Sequence, residues 1–337
     1  MDEQTKSWRI VAVRRLSEAQ LEALSEVAEV DYFEDVDESN RADFMAALSR
    51  AHGLIGGKLE LNEAMLAEAP ALQVVSTISV GYDHLPLKAL NQRRILLCNT
   101  PDVLTETTAD TAFMLVMATQ RRLVELSNLV RDGGWRTHIG HEYFGIDVHG
   151  KTLGIVGAGR IGAAIARRGA LGFGMPILYT AASSKPALEQ QLGAKRRELN
   201  DLLAEADIVC LSVPYNSDTH HLIDADALAR MKTTAALINI ARGKVVDEPA
   251  LIEALHSGGI RAAGLDVFVE EPLPPDSPLA AMDNVVTTPH IGSATHETRE
   301  AMAQLAVDNL LGTLIGSGPL TAVNEHVWRR ADAIEET

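Results

Sequence analysis

The chain has 337 residues, of which 46% are hydrophobic, and a formal net charge of −16. This length predicts about two domains, each large enough to bury its own core. The acidic balance and the lack of a long lysine/arginine run argue against a general surface for nucleic acid or anionic membranes.

The two cysteines and the N-terminal residues indicate the cellular compartment. Cys98 and Cys210 stand inside apolar runs, where a small core residue is a better interpretation than a ligand or a disulfide partner. The first fifteen residues contain no signal-peptide core, and no apolar run reaches membrane-spanning length. We therefore expect a cytoplasmic protein, and we predict no metal site.

The first hundred residues alternate short apolar strands with amphipathic helices, which predicts an α/β region. A capping box, Ser17-x-x-Gln20, opens the first helix, which should run to about residue 28. Further helices are predicted at 41–50 and 63–68. Strands are predicted at 9–13, 30–33, 54–56, 72–76 and 95–98.

Residues 105–130 follow as one predicted long helix. Its segment 112–118, AFMLVMA, is apolar all round, so a helix covered on one side only is excluded. We expect it to be covered both by a neighbouring domain and by a second subunit. Gly133-Gly134-Trp135 should end this helical region.

The centre of the chain carries a glycine motif between two predicted strands, at 152–156 and 177–180. The motif is Gly157-Ala158-Gly159-Arg160-Ile161-Gly162, and a helix to about residue 171 follows it. Strand, G-x-G-x-x-G turn, helix and strand in about thirty residues predict a dinucleotide-binding unit, with the pyrophosphate at the helix N-terminus.

The end of the second strand of this unit departs from the NAD form of the motif. An Asp or Glu is expected there for the ribose hydroxyls, but residues 180–185 read TAASSK. Hydroxyls and a lysine suit a 2′-phosphate better than a bare ribose. We therefore predict that NADP is preferred and NAD possible, with Thr180, Ser183 and Lys185 at this site; a solvated loop that tolerates either cofactor is the alternative.

The remaining sequence continues the alternation. Helices are predicted at 201–205, from the capped start Asp247-Glu248-Pro249 to Gly258-Gly259, and at 294–314, which should cross back to the first region. Strands are predicted at 207–213, 235–240, 262–268 and 284–288.

Three short motifs stand at strand ends, where α/β sheets gather reactive groups. Asn239-Ile240-Ala241-Arg242-Gly243 offers an arginine that can bind a carboxylate with two parallel bonds, although a surface ion pair is about equally consistent with it alone. The second motif runs from Asp266 to Glu271-Pro272, and an acidic loop is its plainer interpretation. The third, Thr288-Pro289-His290-Ile291-Gly292, places a histidine at a strand end.

In this order, the four motifs resemble those of the D-isomer-specific 2-hydroxyacid dehydrogenases, over nearly the whole chain. Within that family the chain is most similar to bacterial glyoxylate/hydroxypyruvate reductases that also reduce 2-ketogluconate. The resemblance implies two Rossmann-like, doubly wound parallel-sheet domains. Residues 1–103 and 292–337 would form the substrate domain, discontinuous in sequence, and 104–291 the dinucleotide-binding domain.

The resemblance also implies roles for individual residues. Arg242 would bind the substrate carboxylate together with the backbone N–H groups of Val80 and Gly81, and His290 would be the acid/base with Glu271 as its partner. Arg160 and Ile161 would lie along the pyrophosphate and Asp266 near the nicotinamide amide. Other cofactor contacts are assigned to Val213, Pro214, Ile240, His290 and Gly292.

The implied function is reduction of small 2-keto acids such as glyoxylate and hydroxypyruvate, by a homodimer. Hydride would pass to C2 while a protonated His290 stabilises the carbonyl oxygen and donates the proton. One alternative is an NAD-dependent D-lactate or other D-2-hydroxyacid dehydrogenase. A nucleotide-sensing binding protein resembling the co-repressors that share this fold is the alternative from another class.

Overall fold

The computed structural model describes residues 7–14, 16–57 and 59–328. They form two compact units, one reaching Leu104 and resuming at Thr295, and the other spanning Thr105–Ala294. Each unit has its own parallel sheet with helices around it, so the predicted α/β class with two doubly wound sheets is confirmed.

The sheet of the first unit has five parallel strands in the order β2-β1-β3-β4-β5. This order reverses between β1 and β3, as in flavodoxin-like folds. The strands are β1 Trp8–Val13, β2 Ala28–Phe33, β3 Gly53–Gly56, β4 Val74–Thr77 and β5 Leu96–Cys98.

The sheet of the second unit has seven parallel strands in the order β12-β11-β10-β9-β6-β7-β8. The order reverses at β6, which is the Rossmann arrangement extended by one strand. The strands are β6 Leu153–Val156, β7 Ile177–Thr180, β8 Lys195–Arg196, β9 Ile208–Leu211, β10 Ala236–Asn239, β11 Ala262–Leu265 and β12 Val285–Thr287.

Thirteen α-helices connect these strands within the described residues. In chain order they are α1 Glu18–Val27, α2 Arg41–Leu48, α3 Glu63–Ala67, α4 Leu87–Gln92, α5 Thr105–Gln120, α6 Leu123–Arg131, α7 Arg160–Arg167, α8 Pro186–Leu192, α9 Leu199–Glu205, α10 Ala225–Arg230, α11 Glu248–His256, α12 Pro278–Ala281 and α13 His296–Leu314.

The last helix, α13, packs on β3 and β4 of the first unit. Gly53 permits the close approach, because a Cβ there would lie 2.8 Å from the Leu310 side chain. The Ser76 hydroxyl donates to the Ala306 carbonyl at 2.8 Å. The predicted capping box of Ser17 and Gln20 opens α1, which packs on α13.

The predicted single helix 105–130 is wrong: α5 ends at Gln120 and α6 begins at Leu123. Arg122 between them has a left-handed φ of 54°. Its guanidinium binds the Glu125 carboxylate and the backbone carbonyls of Glu142 and Phe144. These contacts stabilise the interruption between α5 and α6, where the sequence has no glycine or proline to indicate it.

The apolar segment of α5 is covered mainly by its own unit, where the helix packs on α7, β10, β11 and β12. Leu115 and Val116 are fully buried, whereas Met114 is 43% exposed. Cover by a second subunit stays a prediction, and within this segment Met114 is the side chain left most exposed for it. Further exposed apolar side chains lie on α6 and the chain after it, among them Leu123, Val130 and Trp135.

The strands of the second unit are shorter than the apolar runs that predicted them. The runs 207–213 and 262–268 give four-residue strands, β9 and β11, because their last residues leave the sheet at its carboxyl edge. Cys98 and Cys210 are buried and free, and burial raises the pKa of the Cys210 thiol to about 12. Across residues 7–14, 16–57 and 59–328, no helix combines the length and apolarity needed to cross a membrane.

Candidate active site

The glycine turn after β6 is shaped by close backbone contacts. Gly157 has a φ of +98°, and a Cβ there would lie 2.8 Å from the Val213 backbone nitrogen. A Cβ on Gly162 would lie 2.2 Å from the Gly157 carbonyl oxygen. At Gly159, by contrast, an added Cβ meets nothing within 4 Å. The first and third glycines thus allow packing, and the second leaves open space above the turn.

Helix α7 begins directly after this open space. Gly159 is its N-cap and provides no side-chain cap, so the N–H groups of the first turn, from Arg160 to Gly162, have no partner from that side chain. A helix N-terminus of this kind binds phosphate through its N–H groups and its dipole. The arrangement fits a dinucleotide pyrophosphate.

The turn lies where the strand order of the second sheet reverses, between β7 and β9. The Gly157 N–H donates to the Thr180 carbonyl at the end of β7 at 3.0 Å. The Ser212 hydroxyl after β9 donates to the Gly157 carbonyl at 2.7 Å. Val213 lies against the turn and Pro214 follows it in the chain. Open α/β sheets bind ligands at such a reversal.

The Arg242 turn after β10 is built by Asn239, which is 1% exposed. Its amide oxygen accepts the Ala241 N–H and its amide nitrogen donates to the Arg242 carbonyl, both at 3.0 Å. The Arg242 Nη1 donates to the Ala241 carbonyl at 2.7 Å, and Ile240 is nearly buried. The buried amide thereby fixes the backbone on both sides of the arginine.

Gly243 brings this turn against the loop that carries Glu271. A Cβ at Gly243 would lie 1.9 Å from the Phe268 carbonyl carbon, so only glycine fits. The Phe268 N–H donates to Glu271 Oε1 at 3.0 Å. Glu248 accepts the neighbouring Val269 N–H at 3.1 Å. Arginine and glutamate are therefore held on adjacent, mutually packed loops.

Asp266, which is 1% exposed, organises the histidine loop. Its carboxylate accepts the Thr288 hydroxyl at 2.6 Å and the N–H groups of Ile291 and Gly292, each at 2.8 Å. These bonds surround His290, whose φ of +53° is uncommon for a residue with a side chain. Contact of Asp266 with a nicotinamide stays a prediction, and what is observed is its hold on this loop.

His290 and Glu271 form a hydrogen-bonded pair. His290 Nδ1 lies 2.8 Å from Glu271 Oε2. Burial disfavours the Glu271 carboxylate, but the hydrogen bonds from His290 and the Phe268 N–H, together with the charges of His290 and Arg242, outweigh it and hold its pKa below the usual value. Glu271 is therefore ionised at neutral pH, and its hydrogen bond is to the Nδ1 nitrogen of the His290 ring.

Val80 and Gly81 belong to the first unit and lie just beyond β4. The Val80 carbonyl accepts from the Asn99 amide at 2.9 Å and the Gly81 carbonyl from the Ser79 hydroxyl at 2.7 Å. These bonds fix the two peptide units through their oxygens. The role of their N–H groups stays a prediction.

The second unit thus gathers at one sheet edge nearly all of the residues that the motifs predicted. Asn239 and Glu248 are positioning residues that the sequence analysis assigned no role. Asn239 is the first residue of the Asn239–Gly243 motif. Its position at the end of an apolar strand was the sequence feature that could have indicated a positioning role. In the described part of the chain, no group of three or more His, Cys, Asp or Glu side chains is arranged to hold a metal ion.

Comparison with known proteins gives one family. Residues 113–292 match the model of the D-isomer specific 2-hydroxyacid dehydrogenase NAD binding domain. The glyoxylate/hydroxypyruvate reductase B of Yersinia enterocolitica is 51% identical over 90% of this chain and 93% of its own length. That of Serratia proteamaculans is 50% identical over 92% and 95%.

A solved structure gives the same result. The NADPH-dependent glyoxylate/hydroxypyruvate reductase of Sinorhizobium meliloti, in complex with NADP and malonate, superimposes with a TM-score of 0.81 at 34% identity. The match covers 94% of this chain and 97% of that one. With its fold, its glycine turn and the Arg242, Glu271 and His290 loops, the chain belongs to the D-isomer-specific 2-hydroxyacid dehydrogenases.

Proposed function

We propose that this protein reduces glyoxylate and hydroxypyruvate, and also 2-ketogluconate, to D-2-hydroxy acids, with NADPH preferred over NADH. The observation that carries the proposal is the His290–Glu271 pair at 2.8 Å, with the loop that carries Glu271 packed against the Arg242 turn. Relatives about half identical in sequence are named glyoxylate/hydroxypyruvate reductases, which supports this choice of substrates.

His290 acts as the proton donor in the proposed reaction. A bound nicotinamide supplies the hydride that reduces C2 of the keto acid. Because Glu271 accepts from Nδ1, the other ring nitrogen, Nε2, is the one that donates a proton to the carbonyl oxygen. The ionised Glu271 stabilises the imidazolium, which in turn stabilises the charge that develops on that oxygen.

Arg242 orients the keto acid by binding its carboxylate. A guanidinium makes two parallel N–H···O bonds to a carboxylate, and this geometry fixes the substrate plane. Asn239 holds the arginine backbone, so the clamp is preorganised. A fixed plane exposes one face of C2 to reduction, which is the basis of D stereochemistry.

We assign the dinucleotide, together with the substrate-binding side chains Arg242 and His290, to the second unit. The turn with Gly157, Gly159 and Gly162, together with the N–H groups of Arg160 and Ile161, would hold the pyrophosphate. The other proposed cofactor contacts are Val213, Pro214, Ile240, His290 and Gly292, with Asp266 near the nicotinamide amide. The backbone of Val80 and Gly81 would contribute to carboxylate binding.

NADPH is the proposed preferred cofactor because the end of β7 lacks the carboxylate that selects NAD. Residues 181–185 contain no Asp or Glu, so nothing in this loop repels a 2′-phosphate. The S. meliloti relative is NADPH-dependent and was solved with NADP. We expect a preference of about tenfold, or about 1.4 kcal/mol.

Steady-state kinetics with glyoxylate, hydroxypyruvate, 2-ketogluconate and pyruvate, each with NADPH and NADH, test this function. The proposal predicts the highest kcat/KM for glyoxylate or hydroxypyruvate with NADPH. A higher kcat/KM for pyruvate with NADH would indicate a D-lactate dehydrogenase instead. Tight dinucleotide binding without turnover of any keto acid would favour a nucleotide sensor.

We further propose that the protein is a homodimer acting in the cytoplasm. None of the nine residues of α6 is buried, and residues 132–139 after it are all exposed. Trp135 is 61% exposed, Phe144 58% and Leu123 59%, and exposed apolar side chains close together in the chain are typical of a protein–protein interface. Two free cysteines and the use of a nicotinamide cofactor support the cytoplasm. A monomer in light scattering at micromolar concentration would contradict the dimer.

A further inference from the structure

The end of β7 has a cationic neighbour that comes from another strand. Strand β8 is only two residues long and pairs in parallel with β7, so that Tyr179 lies opposite Arg196. Arg196 follows Ala181 by fifteen residues in the chain. The pairing places an arginine beside the loop 181–185, in which Lys185 is the single basic residue.

The Arg196 guanidinium lies directly against this loop. Its Nη2 donates to the Ala181 carbonyl at 3.0 Å and is 3.5 Å from the Ala182 carbonyl. A guanidinium carries five N–H donors, and these two contacts use one nitrogen. Because Arg196 is exposed, its Nε and Nη1 edge remains accessible to a ligand at the loop.

Two other charged groups near this loop, Arg197 and Glu189, are engaged by partners within the protein. Arg197 Nε pairs with Glu205 at 2.9 Å. Glu189 accepts the Tyr179 and Ser184 hydroxyls, and hydrogen bonds from Tyr179, then Ser184, together with the charge of Arg196, hold its pKa below the usual value. The Ser184 hydroxyl is therefore engaged by a carboxylate.

A ligand phosphate at this loop would meet the Glu189 carboxylate as a nearby negative charge. Arg196 is the cation that offsets it, because its charge acts on Glu189 and its guanidinium contacts the loop backbone. Guanidinium is also the better phosphate partner, because two of its N–H groups match two phosphate oxygens. Lys185 could contribute a point charge only.

We propose that Arg196 is the residue that recognises the 2′-phosphate of NADPH in this protein. This inference rests on the proposed use of NADPH, and it names the side chain that would cause the preference for NADPH over NADH. Arg196 fastens the loop through Nη2 and presents its remaining N–H groups to the phosphate. The same contact gives the arginine a fixed position, so little side-chain freedom is lost when the phosphate binds.

Direct binding of cofactor fragments to the full-length protein tests this without turnover. Calorimetry would measure adenosine 2′,5′-bisphosphate and 5′-AMP, which differ only in the 2′-phosphate. We expect the wild type to prefer the bisphosphate. Arg196→Gln should lose about tenfold in bisphosphate affinity with little change for 5′-AMP, and Arg196→Glu should reverse the preference.

Lys195→Gln is the matched control, because it removes the same charge from the adjacent position of the same two-residue strand. Successive side chains of a strand point to opposite faces of the sheet. The Lys195 substitution should therefore leave the ratio of the two affinities nearly unchanged. An equal loss of both ligands in Arg196→Gln would mean that Arg196 only shapes the loop, and would overturn the proposal.

The same measurements distinguish a failure of the Arg196 assignment from a failure of the proposed NADPH preference. If the wild type prefers the bisphosphate and Arg196→Gln keeps that preference, NADPH use stands and Arg196 is the wrong residue. If the wild type does not distinguish the two fragments, both the NADPH preference and the role of Arg196 are overturned. Unfolding temperatures of all variants, measured alongside, show whether the fold is intact.

Discussion

Two groups of loops at the same edge of the second sheet are held in place by different kinds of residue. The loops after β10, β11 and β12 are held by buried polar side chains, chiefly Asn239 and Asp266, each 1% exposed and each bonded to neighbouring backbone. The turn after β6 is held by glycines, and its helix N-terminus has no side-chain cap.

The difference follows from what each stretch must do. The proton donation and carboxylate binding proposed for His290 and Arg242 would need side chains held in fixed geometry, and rigid positioning surrounds both residues. Pyrophosphate binding needs access to backbone N–H groups, so side chains are left out. Substitutions in the first stretch should therefore impair turnover, and substitutions in the second should impair cofactor binding.

The largest expected effect is that of His290→Gln. Glutamine can hydrogen-bond but cannot donate the proton, so kcat should fall by about 10²–10⁴-fold. Because the glycine turn is untouched, the Kd for NADPH, measured by fluorescence titration, should hardly change. His256→Gln, at an exposed helix end, is the control and should behave as wild type. A large loss of NADPH affinity in His290→Gln would contradict the proposed division between loops that serve turnover and a turn that binds the cofactor.

Arg242→Lys should have the next largest effect although it keeps the charge. A point ammonium cannot reproduce the two-pronged carboxylate contact, so kcat/KM should fall by about 2–4 kcal/mol in transition-state stabilisation. The exposed Arg230→Lys is the matched control. Near wild-type kcat/KM in Arg242→Lys would assign the carboxylate clamp to another residue.

Two glycine substitutions sharpen the comparison directly. Gly243→Ala places a Cβ 1.9 Å from backbone at Phe268, and such overpacking should lower the free energy of unfolding by about 1–3 kcal/mol. Gly159→Ala places its Cβ in open space, so stability should hold while NADPH affinity falls. Urea unfolding and NADPH titration of both variants measure this. Equal losses of unfolding free energy in Gly243→Ala and Gly159→Ala would contradict the difference in packing between the two turns.

Glu271→Gln should give the smallest effect, and a pH-dependent one. Burial alone would raise the pKa of Glu271, but the hydrogen bond from His290 outweighs it and the pKa lies below the usual value, so the carboxylate beside the ring is charged at neutral pH. Without that charge, the alkaline limb of the keto-acid reduction profile should move to lower pH, with rates at low pH less affected. An unmoved alkaline limb would show that Glu271 and His290 are not coupled.

The parts of this architecture that were predictable from sequence are those set by local patterns. The strand predicted at 177–180 is β7 without a shift at either end, and Ser17 and Gln20 form the expected capping box. Glycine turns, caps and strand ends are set by a few neighbouring residues, so their positions could be predicted from the sequence alone, whereas the chemical roles of the strand-end residues stay predictions.

The parts that were not predictable depend on contacts between distant residues. The break at Arg122 is held by carbonyls twenty and more residues later in the chain. Arg196 reaches the β7 loop through a strand of two residues, too short to show any periodicity. Asp266 holds the histidine loop across more than twenty residues of sequence. Such roles exist only once the sheet is assembled.

The most direct test of the proposed function is the product of hydroxypyruvate reduction by the wild-type protein with NADPH. Chiral chromatography of the glycerate formed, alongside the NADPH consumed, would measure both the reaction and its stereochemistry. We predict D-glycerate in one-to-one proportion with the NADPH oxidised. Formation of L-glycerate, or no oxidation of NADPH, would contradict the proposed roles of Arg242 and His290.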